Sequence, residues 1–368
     1  MYWLLLSTIS TDVVVDYLVP RFGPIWTVGP ITAFTRPFGD ATPPSLYLLA
    51  VATFAASLAH PVILIKLLCI AGNALLAAAM WRLLAALDTP MAGRKALVII
   101  ALPSVVLDAG LLAQCDALWA AACVMALAAA VCRRHAAMLA WCGLAVAIQL
   151  QPAFSAPLII ALLIGRRVPA RLWSIAPLAF VAAMLPALLV GWPPGDIVAI
   201  YLRQADWSPA LAVDAPNVWT ILQATPLIGD LPLTGLALAA AIGASAWLIA
   251  LFVQRPPERE QLIAAALLVT LVTVGLLPRM HERSFFLADV LAFALALSKA
   301  GPRSWLVAGL VQMGSILALT GYPSGLTLLP LGGAGAMIAA TALIAKPFFT
   351  SPANDNGLPL NPLTMYSG

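Results

Sequence analysis

Long apolar runs separated by short polar connections extend through almost the whole chain. A helix needs ~20 apolar residues to cross a hydrocarbon core of ~30 Å. By this criterion we predict about eleven membrane spans, or twelve if the apolar residues 1–10 end a further helix. The predicted spans cover residues 62–87, 96–112, 115–132, 136–150, 153–164, 172–190, 233–253, 261–277, 284–298, 304–320 and 327–345. The expected fold is all-α: a polytopic transmembrane helical bundle.

The composition agrees with this pattern, since 62% of the 368 residues are hydrophobic and only 9% are charged. Such a chain has no room for a large soluble domain beside its membrane core. We therefore expect one transmembrane domain over residues 1–350. Residues 351–368 are rich in Pro, Asn, Gly and Ser, which predicts a disordered tail.

The basic residues predict an orientation, because cytoplasmic loops of membrane proteins carry an excess of Lys and Arg. Every second loop is basic, and these loops hold Arg82, Arg94, Lys95, Arg133, Arg134, Arg166, Arg167, Arg171, Arg255, Arg259, Lys299, Arg303 and Lys346. Most acidic residues fall in the opposite loops. The pattern predicts a multi-pass protein of a bacterial inner membrane with an acidic outer face. The net charge of +4 then reflects topology and does not indicate a nucleic-acid partner.

This alternation requires that residues 45–60 do not span the membrane. We expect them to form an amphipathic or re-entrant helix at the periplasmic surface, entered through Thr42-Pro43-Pro44. Periplasmic loops at residues 11–61 and 191–232 would then contribute to any site on that face.

The cysteines show no CxxC and no Cys/His ligand spacing. They are Cys69, Cys115, Cys123, Cys132 and Cys142. Four of them fall in helices, where free Cys behaves as a small apolar residue. The sequence therefore predicts no disulfide framework and no metal site built on Cys; it gives no indication of a divalent metal.

Two carboxylates follow the first apolar segment. Asp12 and Asp16 are four residues apart and share a face if that turn is helical. Two interpretations stay open at this point. They are a pair of catalytic acids, or a helix cap with a solvated partner.

Two further outer segments carry polar side chains between or beside spans. Gln114 and Asp116 lie in a tight turn, where Asp116 is a catalytic candidate or a helix cap. Asn217 and Trp219 lie in the long loop 191–232, much of which fits an amphipathic surface helix. We regard Gln114, Asn217 and Trp219 as supporting residues of a site.

The densest polar segment lies between two apolar runs and reads Leu277-Pro278-Arg279-Met280-His281-Glu282-Arg283. Ionisable groups at the edge of hydrocarbon are functional candidates, although a solvated loop also carries charge without cost. Guanidinium groups match phosphate oxygens, so Arg279 and Arg283 are candidates for binding a phosphate, with His281 as a third contact. Glu282 is expected to pair with one of the arginines and orient it.

An acid opposite a group of cations at a lipid-facing cavity suggests one type of reaction. The cations would hold a lipid-linked phosphate while a carboxylate deprotonates an incoming hydroxyl group. The chain contains no Walker loop, Rossmann glycine pattern or zinc-protease motif. The donor must therefore arrive already activated and reach the site through the membrane.

Four segments in this order resemble the GT-C superfamily of integral-membrane glycosyltransferases, in particular the bacterial mannosyltransferase-like relatives of dolichyl-phosphate-sugar transferases. The segments are Asp12 ahead of Tyr17-Leu18-Val19-Pro20, then Thr42-Pro43-Pro44-Ser45-Leu46-Tyr47-Leu48-Leu49, Gln114-Cys115-Asp116-Ala117-Leu118-Trp119 and Met280-His281-Glu282-Arg283. They are spread over most of the chain. One departure is Gln149-Leu150-Gln151-Pro152, where the family often has Lys before the Gln-Pro segment.

The resemblance implies a polyprenyl-phosphate-sugar donor and inversion at the anomeric carbon. It implies that Asp12 is the general base, that Asp116 is a second outer polar position, and that His281 and Arg283 lie near the donor phosphate. The transferred sugar would be mannose or another hexose, and the acceptor a lipid-linked or cell-envelope glycan. Two alternatives remain open: a transporter or flippase of lipid-linked glycans, and a polysaccharide polymerase or ligase.

Overall fold

The protein is described by a computed structural model that covers residues 5–7, 19–205, 208–225 and 233–349. Asp12, Asp16 and the predicted tail at residues 351–368 lie outside the described residues. The helices are α1 (Val19–Val28), α2 (Pro30–Ala33), α3 (Pro43–Thr53), α4 (Pro61–Ala86), α5 (Ala92–Leu97), α6 (Pro103–Gly110), α7 (Asp116–Val131), α8 (His135–Ile148), α9 (Ala156–Ile164), α10 (Ile175–Val190), α11 (Pro194–Ala205), α12 (Val218–Gln223), α13 (Thr234–Gln254), α14 (Leu262–Leu276), α15 (Phe286–Lys299), α16 (Pro302–Ser324) and α17 (Leu328–Phe349).

Six helical segments in the described residues are long and apolar enough to cross a membrane. They are α4, α13, α16, α17, and the segments Ala170–Val190 and Arg259–Leu276, which add a 3-10 turn to α10 and α14. The predicted class, a helical multi-pass membrane protein, is confirmed at this level. Other predicted spans correspond to shorter helices. The 16 residues of α7, for example, extend about 24 Å at 1.5 Å per residue.

One predicted span is broken in the structure. Residues 96–112 form the end of α5, a 3-10 turn at Val98–Ala101 and the separate helix α6. The break falls at Leu102, whose backbone is extended at φ −62° and ψ 131°. Pro103 causes it, because proline cannot donate to the preceding turn and restricts the residue before it.

The segment expected to lie at the surface forms α3, whose 11 residues are too short to cross a membrane. Its start is fixed to the end of α8. The hydroxyl groups of Thr42 and Ser45 donate to the Ile148 carbonyl oxygen at 2.5 and 2.7 Å. The helix carbonyl that α8 leaves unsatisfied at its C-terminus is thereby bonded.

The helices divide into a buried centre and an exposed rim. In the central segment Arg259–Leu276, 67% of the apolar window is buried, against 11% in Ala170–Val190. The rim helix α10 contacts α8 through Gly143, where an added Cβ would lie 2.1 Å from the Ala176 carbonyl oxygen. Only glycine permits this approach of the two backbones.

The connections fall at two ends of the bundle. We call one the basic end, where Lys95, Arg133 and Arg259 lie beside the ends of α15, α7 and α4. We call the other the site end, where α7 and α15 begin and α14 finishes. One element departs from the all-α expectation. Two residues of the long loop, β1 (Ala212–Val213), pair in parallel with β2 (Met280–His281) at the site end.

Candidate functional site

The turn between α6 and α7 places two carboxylates at the site end. Ala113 adopts a left-handed conformation with φ 48°, and the Gln114 backbone N–H donates to the Asp108 carbonyl oxygen at 3.0 Å. The Gln114 side chain bonds within the same turn, to Leu112. Gln114 therefore supports the site by shaping the turn between Asp108 and Asp116.

Asp116 is buried, with a side chain only 2% exposed. The N-cap residue of α7 is Cys115, whose side chain makes no capping hydrogen bond, and Asp116 is the first helical residue. The expectation that Asp116 caps the helix is therefore wrong. Its Oδ1 instead accepts from the Trp119 indole N–H at 3.1 Å, and its Oδ2 lies 4.0 Å from Arg283 Nε.

Asp108 is a member of the cluster that sequence reasoning did not assign to a site. It is 1% exposed and lies close enough to Asp116 and Arg283 to interact with both electrostatically. Its Oδ1 has no hydrogen-bond partner among the described residues. The signal was present, since Asp108 and Asp116 bracket one predicted outer turn, but the chain does not reveal which way a carboxylate faces.

The segment after α14 is held by backbone bonds. Arg279 adopts a left-handed conformation with φ 61°, and its N–H donates to the Leu211 carbonyl oxygen at 2.8 Å. The next two residues form β2. Ser284 Oγ then accepts from the His281 N–H at 3.0 Å and lies 3.5 Å from His281 Nδ1. The predicted charged loop is thus an ordered turn.

Burial lowers the pKa of His281 well below its usual range, and the Arg283 charge lowers it further. The imidazole is therefore neutral at pH 7. A neutral imidazole offers one N–H donor and no charge, so the predicted third contact from His281 to a phosphate would be an uncharged hydrogen bond.

Arg283 stays charged although its side chain is only 19% exposed. Burial opposes its charge, but Asp116, Glu282 and Asp108 together raise its pKa. Burial raises the pKa of Glu282, and the Arg283 charge opposes that rise. Glu282 thus interacts electrostatically with Arg283, and its role in orienting an arginine stays a prediction. Arg283 Nε is buried and has no hydrogen-bond partner among the described residues.

Asn217 and Trp219 have clear local roles. Asn217 begins α12, and its Oδ1 accepts from the N–H groups of Trp219 and Thr220 at 3.1 and 3.2 Å. The Trp219 indole N–H donates to the Leu276 carbonyl oxygen at 2.7 Å. Trp219 thereby ties the long loop to the end of α14, which leads into the segment that carries Arg279 and Arg283.

The loop that precedes α12 fits the surface-helix interpretation in part. Helix α11 buries Ile197 and Ile200 and exposes Leu202. Arg203 pairs with Asp40 at 2.8 Å and with Asp196 at 3.1 Å. This helix covers the site end without contributing a side chain to the cluster around Arg283 among the interactions described above.

Lys66 is a buried cation that sequence reasoning also missed. It lies in α4, fully enclosed, and its ammonium donates to the Ser7 carbonyl oxygen at 2.9 Å. Ser7 leads into the segment that carries Asp12 and Asp16. The described residues contain no group of three or more His, Cys, Asp or Glu side chains arranged to hold a metal ion.

A scan against protein-family models and a search of curated proteins return no match for this chain. Three elements (α6, the start of α7 and the segment after α14) bring a guanidinium into a cluster of buried carboxylates. Such a cluster can bind an anion through the unbonded face of the guanidinium, or transfer a proton to or from a carboxylate.

Proposed function

We propose that the protein is a membrane glycosyltransferase. It transfers mannose or another hexose, with inversion, from a polyprenyl-phosphate sugar to a lipid-linked or cell-envelope glycan at the outer face of a bacterial inner membrane. The observation that carries the proposal is the meeting of Arg283 with Asp116 and Asp108 at the site end of the bundle, opposite the basic end.

Each residue of the site has a separate role in the proposed reaction. Arg283, with Arg279 in the same segment, binds the donor phosphate. Asp116 holds the guanidinium in place through the 4.0 Å contact. A carboxylate, predicted to be Asp12, takes the proton of the acceptor hydroxyl group as its oxygen bonds to the anomeric carbon. The bond from that carbon to the phosphate oxygen breaks, and the arginines stabilise the departing phosphate.

An apolar cavity offers a place for the isoprenoid chain of the donor. It has a volume of about 190 Å³ and lies between α7, α8, α9 and α15. Leu127, Leu158, Leu287 and Leu291 are among its lining residues. Leu287 is four residues from Arg283, so a lipid chain in this cavity would leave its phosphate near the site end.

The experiment uses purified protein in lipid nanodiscs with a panel of polyprenyl-phosphate sugars and separate polyprenyl-diphosphate oligosaccharides. We expect single-sugar phosphates to be consumed with release of polyprenyl phosphate. Asp12→Asn should lower turnover by roughly 10²–10⁴, with Asp16→Asn as the matched control. An active Asp12→Asn beside an inactive Asp16→Asn would show that the wrong carboxylate was assigned. Consumption of the diphosphate oligosaccharides alone would favour the polymerase or ligase.

One observation favours a second candidate, a transporter or flippase of lipid-linked glycans. Asp289 is 1% exposed within α15 and lies beside Ser104 and Ser315. Acids buried in membrane helices often mark transport paths. A flippase would move a fluorescent lipid-linked glycan across proteoliposomes without releasing sugar, and Asp289→Asn would abolish the movement. A glycosyltransferase would keep its donor consumption in that variant.

A further inference from the structure

Two cysteines meet beside the site cluster. Cys69 Sγ in α4 lies 2.8 Å from Cys115 Sγ, which directly precedes α7. The sulfur atoms of a disulfide are ~2.05 Å apart, so an approach of less than about 1 Å would suffice for a bond. Neither sulfur forms a disulfide in this structure.

The packing around the pair keeps the two sulfurs together. Helices α4 and α7 approach closely at Gly72, where an added Cβ would lie 3.2 Å from a Leu118 side-chain carbon. Cys69 is completely buried and Cys115 is half-buried. Because Cys69 is enclosed, a reagent would reach the pair through Cys115.

We propose that Cys69 and Cys115 are a thiol–disulfide site whose oxidation joins α4 to the start of α7. The oxidant is a disulfide, either of a thiol–disulfide oxidoreductase or of oxidised glutathione. Cys115 attacks it, forming a mixed disulfide and releasing one thiol. Cys69 then displaces the second thiol. The two cysteines lose two electrons and two protons, and the reagent disulfide is reduced to two thiols.

This bond would act on the site through its neighbour in the chain. Cys115 precedes Asp116, whose carboxylate faces Arg283. A covalent link to α4 would restrain the first turn of α7 and with it the position of this carboxylate. The inference does not depend on the reaction that the site performs, because disulfide formation is measured directly.

The test uses full-length protein in nanodiscs, equilibrated in glutathione buffers from fully reduced to fully oxidised. After acid quenching, free thiols are alkylated in denaturant and the unreduced digest is analysed by mass spectrometry. We expect a linked peptide containing Cys69 and Cys115, with near-complete loss of alkylation at both. Cys123 and Cys142 should stay alkylated. Oxidised protein should also unfold at a higher temperature than reduced protein.

Two single variants test the order of attack. Cys69→Ser should leave Cys115 as a mixed disulfide with glutathione, whereas Cys115→Ser should leave Cys69 alkylated. Full alkylation of Cys69 and Cys115 in wild-type protein under the most oxidising buffer would overturn the proposal. A linked peptide joining either of them to the exposed Cys132 would overturn it as well.

Discussion

The two ends of the bundle each contain an arginine–carboxylate pair, but in opposite surroundings. At the basic end, Arg259 lies 3.0 Å from Asp88, with the two side chains 51% and 80% exposed. At the site end, Arg283 lies 4.0 Å from Asp116, with exposures of 19% and 2%. The exposed pair, Arg259 and Asp88, has the shorter distance. The buried pair, Arg283 and Asp116, has more charged neighbours.

The difference shows how the two sets of cations are used. At the basic end, Arg259, Arg303 and Lys95 donate to carbonyl oxygens of Ala86, Leu343 and Leu297. Each of these oxygens lies in the last two turns of a helix, where a positive charge is favourable. Arg283 instead faces carboxylates in a buried cluster. Cations at the basic end therefore stabilise helix termini, while the charge of Arg283 is balanced by carboxylates.

An all-or-none test asks whether the two ends lie on opposite sides of the membrane. Single cysteines are placed at Asp40 and at Arg133 in a Cys-free background, because both side chains are exposed. In intact spheroplasts an impermeant maleimide should label Asp40→Cys only. Arg133→Cys should react after permeabilisation. Labelling of Arg133→Cys in intact cells would reverse the proposed orientation.

The buried pair should be far more sensitive to loss of one charge than the exposed pair. Asp116→Asn leaves Arg283 buried with less compensation, and breaking such a pair costs up to about 3–5 kcal/mol. Asp88→Asn at the basic end should cost about 0–1 kcal/mol. Unfolding in mixed micelles measures both. Equal losses in the two variants would mean that burial does not distinguish the pairs.

Arg283 and Arg259 should differ in their effect on donor binding. A charge-assisted contact contributes ~1.5–3 kcal/mol, so Arg283→Ala should raise the donor Michaelis constant about tenfold to a hundredfold. Arg259→Ala should leave it unchanged. Arg283→Lys keeps the charge but loses the bidentate fork, so it should fall between wild type and Arg283→Ala. If the Michaelis constant for the donor were unchanged in Arg283→Ala, Arg283 would not bind the donor phosphate.

The smallest expected effect concerns pH. The pKa of His281 falls below 6.5 on folding, so the unfolded chain binds more protons in that range. Stability should be full above pH 6.5 and decrease as the pH falls toward the folded pKa. Glu282 acts in the opposite sense, because its pKa is raised: stability decreases as the pH rises from 4.5 through its folded pKa.

His281→Gln should therefore flatten the loss of stability on the acid side of pH 6.5. The matched control is His60→Asn, a change at an exposed residue that keeps an acceptor for the Val62 N–H at the start of α4. Chemical unfolding at a series of pH values measures the slope. A slope that is unchanged in His281→Gln but altered in His60→Asn would contradict the assignment.

The helices could be predicted from the sequence because apolar runs of this length have few alternatives. At one predicted span a proline interrupts the helix. Residues 96–112 are apolar throughout their first part, and only the conformation at Leu102 reveals that Pro103 divides them. Strands β1 and β2 have two residues each, too few for any periodicity, so their pairing could not be predicted.

The site could be predicted only in part. Asp116 and Arg283 were both predicted as candidates, since charges beside apolar runs stand out. Their contact, and the inclusion of Asp108, depend on how α6, α7 and α14 pack. Asn217 carried a recognisable signal, because asparagine is favoured at the residue before a helix. Lys66 carried no such signal, because a single lysine in an apolar run has the same sequence pattern whether its side chain is buried or exposed.

The pairing of β1 with β2 makes two distant parts of the chain a single mechanical unit. Ala212 and Val213 are bonded to Met280 and His281, and Arg279 is bonded to Leu211. A displacement of residues 211–213 would therefore also displace the segment that carries Arg279 and Arg283. Under the proposed function, an acceptor glycan that displaced the long loop would also displace the segment proposed to bind the donor phosphate, so binding of the two substrates would be coupled through this pairing.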